Sequence, residues 1–121
     1  MVYMKIKVRL EDIASKNELF YIQNNKKYFN FNAIVPEPKF PDSNFDKYKW
    51  RTENWGTSVL AKNTKIESDD VVSFNSCGYP GKLFEKLSSK YPDKEVVVTS
   101  YTNTAGSCKP ITTKYLNGEV K

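Results

Sequence analysis

The stretch "VYMKIKVRL", residues 2–10, alternates without a break: Val2, Met4, Ile6, Val8 and Leu10 fall on one side, and Tyr3, Lys5, Lys7 and Arg9 on the other. Successive side chains of a strand point to opposite faces, so this period predicts a β-strand whose apolar face is covered and whose basic face is open. The rest of the chain must supply the cover.

"SKNE", residues 15–18, has the form of a capping box, in which the Ser15 hydroxyl accepts from the Glu18 amide and the Glu18 carboxylate reaches back. It predicts a helix with Leu19, Phe20 and Ile22 on its apolar side. The asparagines of "QNNKKYFNFN" favour turns and weaken that helix. "IVPEPKFPDSNFD" then carries three prolines in six residues and predicts a long loop over about residues 30–47. "YKWRT", residues 48–52, reads as a strand with Tyr48, Trp50 and Thr52 on one side, and Gly56 either breaks it or lets another backbone approach. Residues 57–69 fit a short helical turn or the lead-in to a strand.

The second half is plainer. "VVSFNSC" is a strand rich in β-branched and aromatic residues that ends at Gly78. "GYPGKLFEKLSSKYPDK" is a helix with Pro80 in its first turn, a stop before Pro92, and a buried stripe of Leu83, Phe84, Leu87 and Tyr91. "KEVVVTSYT" and "PITTKYL" are strands joined by a turn at "TAGS", and Asn117-Gly118 signals a last hairpin. Two helices separated by paired strands predict an α+β fold, a ferredoxin-like sandwich with a mainly antiparallel sheet and two helices packed on one face. At 14.0 kDa, residues 1–121 make one domain.

Composition narrows the chemistry. There is no histidine, which removes the commonest general base and metal ligand. Cys77 and Cys108 have neither metal-type spacing nor a histidine partner for thiol catalysis, and two cysteines are too few for a disulfide framework. No glycine-rich phosphate loop follows a strand. The chain therefore reads as a non-enzyme with no cofactor. Its net charge of +5 favours anionic partners and argues against mimicry of DNA. No apolar run approaches the roughly 20 residues of a membrane span, and the reduced thiols fit a cytoplasmic protein.

The segments "WRTENWGT", "VVSFNSCGYP", "KLFEKLSSKYPD", "EVVVTSYTNTAG" and "YLNGEV", taken in this order, resemble the YubB ferredoxin-like domain family of small phage and plasmid proteins. The likeness spans roughly residues 30–121 and includes "FNAIVPEP" ahead of the tryptophan segment. Where that family commonly has a second tryptophan after its Asn-Trp-Gly-Thr core, this chain has "SVLA". The resemblance implies a mobile-element origin and brings no catalytic residues.

Two surfaces are candidates for function. Trp55, Arg51, Glu53 and Tyr79 form an aromatic and charged set suited to a protein interface, if the tryptophans are not simply packed under the helices. On a regular strand, Trp50 in the core would leave Arg51 and Glu53 together on the outer side. Tyr3, Lys5, Lys7 and Arg9 on the open strand face, with Lys26 and Lys27, suit nucleic acid, where bases stack on rings and cations meet phosphate. They lack the glycine-aromatic signature of the common RNA-recognition domains. "ESDD", residues 67–70, lacks the spaced ligands of a cation site and reads as a charged turn. The resulting expectation is an accessory protein that binds and inhibits a host defence protein, in the manner of an anti-CRISPR acting on a CRISPR effector. The alternative is a nucleic-acid-binding module that uses the basic sheet face. Exposed edge strands would allow a homodimer as well as a monomer.

Overall fold

A computed structural model describes residues 4–40, 44–57, 60–104 and 107–121, with the side chains of 44–45, 102–104 and 107–109 left aside. Strand β1 (Met4–Arg9) buries Ile6 and Val8 completely and leaves Lys5 and Arg9 exposed, as its alternation requires. It lies inside a six-stranded antiparallel sheet with the order β4-β5-β1-β6-β7-β8, where β4 is Lys62–Ile66, β5 Val71–Ser76, β6 Val96–Thr104, β7 Ser107–Leu116 and β8 Glu119–Val120. Val8 stands opposite Val72 on β5 and Val98 on β6, so one continuous apolar face runs across the three strands.

That face is covered by helix α3 (Gly81–Lys90), through Leu83, Phe84 and Leu87, and by an aromatic layer of Phe29, Phe31 and Trp55, of which Phe29 and Phe31 pack on Phe74 of β5. The molecule is thus α+β with a mainly antiparallel sheet. Pro80 sits at the N-cap of α3, and Tyr91 follows it partly buried. The chain crosses from β1 to β4 past β5, and from β5 through α3 to β6 past β1. Asn117 and Gly118, at φ 51° and 86°, make the turn between β7 and β8. Its Gly118 amide donates to the Ser88 hydroxyl of α3 at 2.8 Å.

Three segments depart from the sequence expectation. The helix expected after Ser15 is replaced by two short 3-10 turns, Ile13–Ser15 and Asn17–Leu19, and a hairpin of β2 (Phe20–Gln23) and β3 (Lys26–Phe29). Asn24 and Asn25, at φ 53° and 63°, supply the two left-handed residues that a tight hairpin needs. Ser15 caps nothing, and the Glu18 carboxylate accepts from the Tyr91 hydroxyl at 2.6 Å. Leu19 and Phe20 are buried, whereas Ile22 is 69% exposed.

"YKWRT" is not a strand but part of helix α2 (Asn44–Asn54). Thr52 is its one β-branched residue, Asp46 sits in its first turn and Arg51 in its last, the arrangement the helix dipole favours. Gly56 ends it at φ 90°, its amide donating back to the Arg51 and Thr52 carbonyls. The Pro-rich loop is shorter than expected, because α1 (Phe31–Ile34) and α2 occupy its two ends. Of the undecided stretch, Lys62–Ile66 is strand β4, with a register shift between Lys62 and Lys65 and Asn63 at φ 53°.

Gly56 also lies where two backbones meet, since a Cβ there would come within 2.8 Å of the Tyr79 carbonyl oxygen. With the positive φ, Gly56→Ala is expected to cost roughly 1–3 kcal/mol, measured as a lowered urea midpoint at unchanged slope.

Candidate functional site

Trp55 follows the last residue of helix α2 and its amide donates to the Arg51 carbonyl at 2.7 Å, so the two side chains, four residues apart, turn to the same, inner face. Trp55 is 0% exposed, its indole N–H donating to the Val35 carbonyl at 2.9 Å and its ring packed edge-on against Phe31 and Trp50. The Arg51 guanidinium lies 5.2 Å from the centroid of that ring and grips the Glu37 carboxylate through Nε and Nη2. Glu37 is delivered by a relay of asparagines: Asn30 Oδ1 accepts from the Asn32 amide, and Asn32 Oδ1 accepts from the Glu37 amide. Arg51 and Glu37 side chains are only 11% and 12% exposed.

Trp55 and Arg51 are therefore interior residues and cannot serve as the exposed anchor considered for them. The helix separates what a strand would have grouped, because Glu53 points outward and is exposed. Tyr79 is half-buried, with its hydroxyl 2.6 Å from that of Tyr115. Burial and the Tyr79 hydroxyl together push the Tyr115 phenol far above the ordinary tyrosine range.

Among the described residues, no helix lies on the opposite side of the sheet. Here Lys5, Lys7 and Arg9 project beside Asn75, Ser73 and Val71 on one flank and Tyr101, Thr99 and Val97 on the other. The register adds Lys62 and Lys65 from β4 and Lys114 from β7 to the same face. Lys7 Nζ lies 6.0 Å from the Tyr101 ring centroid and 3.1 Å from Glu67 Oε1. The Ser73 hydroxyl, followed by Lys7 and Lys5, holds the Glu67 carboxyl below its usual range. A second carboxylate, Glu95, is paired with Lys121 at 2.8 Å and lies near Lys114.

Lys62, Lys65, Tyr101 and Lys114 were not singled out in the sequence, because their relation to β1 exists only through the sheet order. Tyr3 lies outside the described residues. Lys26 and Lys27 are exposed but stand on β3, at a groove of about 560 Å³ shared with Tyr28, Asn63, Thr64 and Ile66. The "ESDD" turn uses Asp70 to accept from the Asp12 amide at 2.9 Å. Among the described residues no group of carboxylates or thiols is arranged to hold a metal, and no helix is long and apolar enough to cross a membrane. Cys77 is a half-buried free thiol, and the side chain of Cys108 lies outside the described residues. Compared with known families, curated proteins and solved structures, the chain has no match.

Glu37→Ala would leave the buried Arg51 charge without its carboxylate and is expected to cost roughly 3 kcal/mol, seen in denaturant unfolding followed by tryptophan fluorescence. Tyr115 and Tyr91 both favour the neutral phenol in the fold, Tyr91 through burial and then its bond to Glu18. A raised folded-state pKa contributes stability that is complete below pH about 10 and is lost as pH rises beyond it. An alkaline titration followed by phenolate absorbance should show these two ionising only as the protein unfolds. Tyr115→Phe should remove one of the late pair.

Proposed function

We propose that this protein is a non-enzymatic module that binds single-stranded nucleic acid on the open face of its sheet. The observation that carries the reading is the gathering of Lys5, Lys7, Arg9, Lys62, Lys65 and Lys114 on the same sheet face as Tyr101, a face that no helix covers among the described residues. Cations neutralise phosphates, and an aromatic ring on a strand offers a platform on which a splayed base stacks. A broad sheet does not enter the duplex major groove, which admits one helix or a two-stranded ribbon, so single strands suit this surface better.

The strand order β4-β5-β1-β6, with α2 in one crossover and α3 in the other, supports a ferredoxin-like reading of the core, to which the β2–β3 hairpin and strands β7 and β8 are additions. This is compatible with kinship to the YubB family and an origin on a phage or plasmid, with the protein working in the host cytoplasm. With Trp55 and Arg51 in the interior, inhibition of a host defence complex would run through the basic face. A CRISPR effector carries nucleic acid that this face could engage.

Fluorescence anisotropy with labelled single-stranded oligonucleotides tests the reading. Affinity should fall steeply with salt, with a log-log slope of about −0.7 per phosphate neutralised. Combining Lys5→Ala, Arg9→Ala and Lys65→Ala should weaken binding at least about tenfold and flatten that slope. Tyr101→Ala should cost roughly 1–3 kcal/mol of binding without changing the slope. A salt-independent affinity, or none at all, would sink the proposal.

A further inference from the structure

A surface built only to attract phosphate has no use for a carboxylate, yet Glu67, just past the edge strand β4, reaches in to Lys7 on this one. It borders a depression of about 360 Å³ whose other lining includes Lys7, Arg9, Val71, Val97 and Thr99. Val71 and Val97 flank Arg9 in register on the two neighbouring strands, which sets two apolar residues beside one cation on the same face. A depression of this size lies in the range that holds a small ligand. The Glu67 side chain is 22% exposed, and Lys7 and Ser73 engage it. An ionised carboxylate offers about four acceptor sites, so these two partners leave it with acceptor capacity and fix its direction.

Such a group accepts and never donates. Among the bases, guanine presents two adjacent N–H donors on its Watson–Crick edge, which match the two oxygens of a carboxylate. Uracil presents a single N–H between two carbonyl oxygens, and those repel it. We propose that the depression is a nucleobase subsite, in which Glu67 accepts from the Watson–Crick edge of guanine while Val71 and Val97 contact the base and Arg9 meets a neighbouring phosphate. This rests on the reading of the open face as a single-strand surface and adds a base preference to it. Glu67 is then a specificity-determining residue that opposes general phosphate affinity in exchange for discrimination.

The test uses the full chain and three labelled oligomers: one of uridines only, one with a single uridine replaced by guanosine, and one with inosine there, which lacks the second donor. Anisotropy should give roughly tenfold tighter binding of the guanosine oligomer than of the uridine one, with inosine between them. Glu67→Gln should erase the difference while the uridine oligomer binds as well as before or better. The inosine series needs no change to the protein, so it stands whatever the variant does to folding. Equal affinities for the three oligomers overturn the subsite but leave the single-strand surface standing, and so does a guanosine preference that survives Glu67→Gln. If none of the oligomers binds while an acidic protein does, the single-strand reading itself falls, and the subsite with it.

Discussion

The interior position of β1 governs this molecule. A strand flanked on both sides has its backbone hydrogen bonds met by β5 and β6, so its side chains alone decide what each face of the sheet becomes. Ile6 and Val8 commit one face to the core, and two lysines and an arginine commit the other to water. A slip of one residue in register would exchange those sets and bury three charges, which makes the pairing with Val72 and Val98 hard to shift.

The cover is fastened by a different kind of contact. Helix α2 has no aliphatic residue, and what docks it is the pair of indoles, Trp50 within it and Trp55 just past its end, with the Arg51 guanidinium. Burying an ion pair gains little over an apolar pair of the same shape, because desolvation offsets much of the attraction. Its effect is directional. The Arg51 fork donates from Nε and Nη2 to both Glu37 oxygens, which favours a carboxylate in its own plane and so fixes where Glu37 lies beside Trp55.

How far the sequence could be read depended on whether a signal was local. The period of β1, the stripe of α3 and the Asn117-Gly118 turn are each carried by neighbouring residues, and the structure has all three. The Ser15–Glu18 pattern was local too, but the hairpin turn at Asn24-Asn25 and the burial of Phe20 against Phe29 outweighed it. The alternation of Tyr48, Trp50 and Thr52 misled for a related reason, since three positions are too few to tell a strand period from a helical one. Of the basic face, the sequence held the β1 residues. Lys65, Tyr101 and Lys114 join them only because β4, β6 and β7 lie where they do, and no short window of sequence contains that order.

The same order has a consequence for how the chain reaches its fold. The β2–β3 and β7–β8 hairpins close over a few residues and can form early, whereas β1 finds β5 and β6 only far along the chain. Until both arrive, its apolar side chains have nothing to lie against. Its basic neighbours then act as gatekeepers, since alternating like charges make a poor template for stacking one nascent chain on another. The residues that would meet a partner in the finished protein thus also keep the unfinished one apart.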